Sequence, residues 1–163
     1  PSPLTLVLLF GEGISRRLGL LARLGEFAAK RGVAIHASTS SDSIVGIYVE
    51  QDHGGGIAED LHREFVGPGR DFQEMVVTRD VAEVRLSNPA FISTHGVIRV
   101  IADTLYQGGL NIVEIVTSHA DIHVYCQWDQ AETVRRLLSD RLGIEVRNGH
   151  RNGAAPRRPS GRE

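Results

Sequence analysis

A single cysteine, Cys126, is all the thiol the chain has. That excludes an intrachain disulfide framework and a multi-cysteine zinc site, and it suits a reducing cytoplasm, the expected location. Cys126 falls in an apolar strand pattern, where it reads as a small core residue rather than a nucleophile. Charge of one sign is also missing. A formal net charge of -2 predicts no general attraction to nucleic acid or to an anionic membrane. The apolar run "LTLVLLF" is too short to span a bilayer, "GEGISRR" follows it, and no signal peptide is visible. The first residue is Pro1 rather than Met, as expected of a processed product or of part of a larger chain. Catalytic signatures are lacking as well: no Ser–His–Asp set or carboxylate pair recurs, so no catalytic residue, cofactor or metal is expected.

Hydrophobic residues make up 41% of the 163, enough for packed cores. The last stretch, "RNGHRNGAAPRRPSGRE", has almost nothing to bury, and residues 148–163 read as a solvated, disordered tail.

The chain repeats itself. "RGVAIHASTSSDSIVGIYVEQD" and "GGLNIVEIVTSHADIHVYCQWD" share a small-residue turn, an apolar strand, a Ser/Thr-rich bend and a second strand. An offset of 77 residues, the distance from Gly19 to Gly96, pairs Val7 with Val84, Leu9 with Leu86, Gly32 with Gly109 and Ile35 with Ile112. It also pairs Tyr48 with Tyr125, Asp52 with Asp129 and Leu61 with Leu138. A period this long exceeds that of a solenoid repeat and points to duplicated domains.

Each copy has the same order. A strand ("LTLVLLF" or "VAEVRLS") leads through a loop to a helix with apolar residues at helical spacing. Those residues are Leu20, Leu21, Leu24, Phe27 and Ala28 in one copy and Val97, Ile98, Ile101 and Leu105 in the other. Gly32 and Gly108–Gly109 stop the helices at left-handed caps. Two strands follow. The second of them alternates Val45, Ile47 and Val49, or Ile122, Val124 and Cys126, on one buried face. A second helix near Ile57–Phe65 or Gln130–Leu142 comes next, with Asp129 as an N-cap for the latter. Closing strands are expected at Met75–Arg79 and Ile144–Arg147. The predicted fold is therefore α+β, two tandem ferredoxin-like βαββαβ units with helices on one face of each antiparallel sheet. Their expected spans are 1–79 and 80–147. Units of that size are marginal alone. Because "LTLVLLF" is apolar on both faces, the helix-free face of the first unit should be covered by the second or by a partner.

The segment "SNPAFISTHGVIRVIADTLYQGGLNIVEIVTSHADIHVYC" resembles the paired ACT domains that follow the kinase domain of aspartate kinases. "GEGISRRLGLLARLGEFAAKRGVAIHASTSSDSIVGIYV" follows the same template less closely. The resemblance implies a non-catalytic regulatory module that binds a free amino acid between units and so controls amino-acid metabolism. It would act as a homodimer or on a biosynthetic enzyme, without cofactor, nucleic acid or membrane. A regulatory subunit or fragment of aspartate kinase is one alternative; a protein-interaction module without a small ligand is another. By the resemblance the effector contacts are Phe91, Ser93, Thr94, His95, Gly96, Asn111 and Ile112, matched by Ser15, Arg16, Arg17, Gly19, Ala34 and Ile35. The chemistry fits: a helix start offers N–H groups to a carboxylate, and a strand opening offers acceptors to an ammonium. Two positions depart from the family pattern. Leu18 and His95 stand where Pro is usual, and Val113 stands where the lysine-sensing version has an acid, with Glu114 one residue later.

Other signals are weaker. "GEGISRRLG" lacks the third glycine of a dinucleotide fingerprint, Arg16 standing in its place. His119, Asp121 and His123 alternate on one strand face, which reads as a solvated or interface row whose contacts are pH-sensitive rather than as a metal site. Trp128 reads as a packing anchor, and "DHGGG" as a strand-to-helix turn without the lysine of a phosphate loop.

Overall fold

The computed structural model describes residues 2–50, 56–118 and 120–149, with the side chains of Ile92 and Asn148 left out. Expectations for Asp52 and the turn after it, for His119 and for residues 150–163 lie outside that range.

Among the described residues, seven strands and four helices follow in the order β1 (Leu4–Phe10), α1 (Leu20–Lys30), β2 (Ile35–Ser40), β3 (Ile44–Glu50), α2 (Ile57–Phe65) and β4 (Glu74–Ser87). Then come α3 (Val97–Gln107), β5 (Glu114–Thr117), β6 (Asp121–Gln127), α4 (Ala131–Leu142) and β7 (Val146–Asn148). The strands form one α+β sheet ordered β2-β3-β1-β4-β6-β5, with β7 also on β4, and every strand pairing is antiparallel. The 77-residue offset carries α1 onto α3 and β3 onto β6 residue for residue.

Local chemistry accounts for the helices. Leu20, Leu24, Phe27 and Ala28 recur on one face of α1, and Val97, Ile101 and Leu105 on one face of α3, all of them buried. Left-handed Gly19 and Gly96 open the helices, and left-handed Gly32 and Gly109 follow their ends. Helices α1 and α2 pack on Val7, Leu9, Val45, Ile47 and Val49 in a first core. In a second, α3 and α4 pack on Val84, Leu86, Ile122, Val124 and Cys126. Trp128 borders the second core, as a packing anchor should.

The sheet curls so that its two helix-free faces meet in a third core of Leu4, Leu6, Tyr48, Val81 and Tyr125. Alternation along β1 explains how one strand feeds two cores: Val7 and Leu9 face the helices, while Leu4 and Leu6 face the seam. The face expected to need a cover is thus covered by the second half of the same chain. At the seam's centre the duplicated tyrosines stack on each other, with ring centroids 3.9 Å apart and planes 16° from parallel.

Three expectations need correction. The strands predicted on either side of residue 80 are one 14-residue strand, β4. It turns at Asp80, whose φ of 55° is left-handed, where the pairing with β1 shifts register. The last strand lies at Val146–Asn148, later than Ile144–Arg147, because it pairs with Leu86, Arg85 and Val84; Gly149 N–H then donates to the Glu83 carbonyl at 2.9 Å. Asp129 does not cap α4: it sits in a 3-10 turn, Trp128–Gln130, and Gln130 takes the cap position.

Cys126 is fully buried on β6. Burial, helped by the charge of Asp129, pushes its thiol up to about 11. Iodoacetamide near neutral pH is therefore expected to leave the folded chain unlabelled and to label it fully in denaturant, read by intact mass. Rapid labelling of the native chain would contradict this packing.

Candidate functional site

Two clefts open at equivalent places in the two halves. The first, about 540 Å³, lies between the loop Ile14–Leu18, the start of α1 and the β2–β3 turn at Ser40, Ser41 and Asp42. The second, about 410 Å³, lies between Phe91, Thr94, Gly96 and the start of α3 on one side and Thr117, Ser118 and Ile122 on the other. Neither helix has a side-chain cap; in α1 the Leu20 N–H donates to the Arg17 carbonyl at 3.4 Å, and the positive end of each helix dipole faces its cleft. Both openings can take an anionic group such as a carboxylate.

Of the residues expected at the site, Ser15, Arg17 and Gly19 line the first cleft and Phe91, Thr94 and Gly96 the second. Arg16, Ser93 and His95 lie exposed on the same loops. Several polar groups already have partners. Ser15 Oγ donates to Asp42 Oδ1 at 2.5 Å. Arg17 donates to the carbonyls of Asp71 at 2.7 Å and Glu12 at 3.1 Å, tying the loop down. Ser93 and Thr94 both donate to the Ala90 carbonyl, at 3.3 Å and 2.7 Å.

The strand-opening residues are elsewhere. Ile35 is the first residue of β2, whereas the cleft touches its last, Ser40, so the two ends are roughly 17 Å apart at strand rise. Asn111 and Ile112 likewise precede β5, whose far end, Thr117, reaches the cleft. Within one chain, then, the helix starts meet the Ser/Thr turns and not the strand openings. Those turns were missed from sequence, although Ser41 and Ser118 are identical at the 77-residue offset.

The seam holds a second polar constellation. Glu83, with a side chain 5% exposed, lies between imidazoles from both halves: its Oε2 is 2.8 Å from His36 Nε2 and its Oε1 is 2.5 Å from His123 Nδ1. Burial alone would push this carboxyl up; the hydrogen bonds and charges of His123 and His36 outweigh it and bring it to about 2. Glu83 stays ionised and clamps β2 to β4 and β6. Beside it Tyr48 donates its hydroxyl to Glu114. In the row predicted on β6, Asp121 instead accepts from Arg85 at 2.6 Å. Among the described residues, no group of three His, Cys, Asp or Glu side chains could hold a metal ion, and no helix is long and apolar enough to cross a membrane.

No protein-family model matches the chain, and no curated protein matches it. Solved structures do. The regulatory subunit of aspartate kinase from Thermus thermophilus, in its ligand-free form, is 21% identical and superposes with a TM-score of 0.66 over 86% of this chain and 92% of that one. The aspartate kinase of Clostridium acetobutylicum is 15% identical with a TM-score of 0.73, and covers 85% of this chain. Aspartokinase III of E. coli in complex with lysine and aspartate is 19% identical with a TM-score of 0.65 over 88% of this chain. The chain spans 32% of the length of each of the last two enzymes. At these identities the likeness is one of architecture: the chain has the ACT-like fold of aspartate kinase regulatory regions.

Proposed function

We propose that the chain is a tandem ACT regulatory module that binds a free amino acid and passes the signal on by shifting how units pack. The observation that carries this reading is the matched pair of clefts, each with an uncapped helix start behind a left-handed glycine and a hydroxyl-bearing turn opposite. Duplication of the same opening is what a ligand held by related units requires. The strand order supports two ferredoxin-like units, since β2-β3-β1-β4 in one half is repeated as β5-β6-β4-β7 in the other. The strand openings at Ala34 and Ile35, and at Asn111 and Ile112, would join a helix start only if a second copy supplied them. That favours a homodimer, or docking on an amino-acid biosynthetic enzyme. Aspartate kinase is the alternative enzyme, with this chain as its regulatory part.

A module that binds protein alone is the second reading. It is favoured by apolar residues at the cleft mouths: Leu18 is fully exposed, and Leu21 and Ile98 are 49% and 41% exposed.

Isothermal titration of the chain with each common amino acid separates the two. Saturable heat with one or a few, together with a change in the sedimentation profile, is the expected result. No heat and no melting shift with any of them at millimolar concentration would leave the protein-binding reading in place.

A further inference from the structure

The tyrosine stack divides the seam into two corners related by the duplication. One is filled by His36, Glu83 and His123. At the 77-residue offset those positions become Val113, Leu6 and Gly46. The second corner is accordingly open: a cavity of about 350 Å³, with Leu6, Leu8 and Thr39 on one wall and Val113 and Glu114 on the other. Gly46 lies beneath it. A Cβ there would come within 2.8 Å of Thr39 Oγ1 and 3.1 Å of a Leu8 methyl, so those side chains occupy the space that His123 takes in the filled corner. What remains is a small cleft with apolar walls, the hydroxyl-bearing residues Thr39, Ser40 and Ser41, and one carboxylate.

Among the described residues that carboxylate has no counter-charge. Tyr48 donates to its Oε2, but among the described residues Glu114 forms no ion pair. Among the described residues, no Arg, Lys or His lines the cavity. A partly buried carboxylate attracts a cation more strongly than one in water does. A zwitterion suits the site poorly, because its own carboxylate would lie near Glu114 with no cation to meet it. The volume suits a small ligand.

We infer that this corner binds a small alkylammonium compound without a carboxylate, its ammonium on Glu114 and Thr39 and its hydrocarbon tail along Leu6, Leu8 and Val113. The site adjoins the first helix-start cleft, with which it shares Ser40 and Ser41, but its ammonium-binding end at Glu114 lies outside that cleft and takes different chemistry. Since its walls come from both halves, the ligand holds the seam shut.

The test is amide-resolved NMR of the isotope-labelled 163-residue chain at fixed pH and ionic strength, titrated separately with n-butylammonium, butyrate and n-butanol. Saturable shifts centred on Thr39, Val113 and Glu114 are expected with the amine, and none that saturate with the other two. In Glu114→Gln, which keeps an acceptor for the Tyr48 hydroxyl, amine affinity should fall about tenfold or more. The site is overturned if the amine gives no saturable shifts, if butyrate or butanol matches it, if the shifts sit only at the helix-start loops, or if Glu114→Gln binds as well as wild type. Should that variant not fold, the three-ligand comparison on wild type decides by the same criteria. Failure of amino acids to bind the helix-start clefts would leave this result untouched.

Discussion

Glu83→Ala is expected to lower the unfolding free energy by about 3–5 kcal/mol, read by urea denaturation at pH 6. Both His36 and His123 face this carboxylate, and its removal takes that contact from two partly buried imidazoles in the seam. A domain of this size has roughly 5–15 kcal/mol in total, so the variant is expected to be partly unfolded at 37 °C. Glu83→Gln should do less harm, about 1–3 kcal/mol, because one end of the amide still accepts while the charge is lost. A loss below 1 kcal/mol for Glu83→Ala would mean that the seam does not depend on this contact.

The same cluster sets a pH window. The Glu83 carboxyl is held at about 2 in the folded chain against an ordinary value of 4.5. Its contribution is thus complete above 4.5 and drains away as pH falls towards 2. His36 is raised above its ordinary 6.5, chiefly by the Glu83 hydrogen bond, with burial opposing and the charges of Glu83 and Glu50 assisting. Its contribution is complete below 6.5 and is lost as pH climbs through the raised native value. The cluster therefore stabilises most between pH 4.5 and 6.5. The gap in stability between wild type and Glu83→Gln should be widest in that window and narrow on both sides. A gap that stays constant with pH would show that the protons are not linked to folding here.

Much of this architecture was legible in the sequence because the repeat constrains it twice. The helical spacing of Leu20, Leu24 and Phe27 and the left-handed glycines fix α1, and the 77-residue offset then places α3 with no further information. Glu83 was not legible. In "VAEVRLS" it alternates with apolar residues as a solvent-facing residue would, and only the curl of the sheet turns its face inward. Its partner His36 lies 47 residues away on another strand, a pairing that no local pattern carries. The continuity of β4 was hidden for a similar reason. Asp80 breaks the pattern like a loop residue, yet a single left-handed residue lets the strand turn and continue. For the clefts, the helix starts were found and their facing strand ends were not. That part was readable: only residues 31–34 join α1 to β2, which puts the opening of β2 beside the end of α1 and its far end beside the helix start.

Tyr48→Ala is the other substitution with a large expected effect, about 3–5 kcal/mol, for loss of a fully buried aromatic. Tyr125→Ala should cost a similar amount, since its ring is equally buried and lies against the first. The two losses should not add. Once one ring is gone its partner has no face to stack on, so the double variant should fall short of the sum by about 0.5–1.5 kcal/mol. Tyr48→Phe separates the hydroxyl from the ring. Burial, with Glu114 close by, pushes the phenol far above its ordinary range, so it stays protonated and donates to the carboxylate. Losing that donor should cost about 1–3 kcal/mol and leave the stack intact. The coupling of the two alanine variants, measured by denaturation at pH 6, is the sharper result. Strict additivity would mean that each half carries its tyrosine for its own core. A shortfall of the expected size would place the joint between the halves at this pair, where the duplicated tyrosines meet.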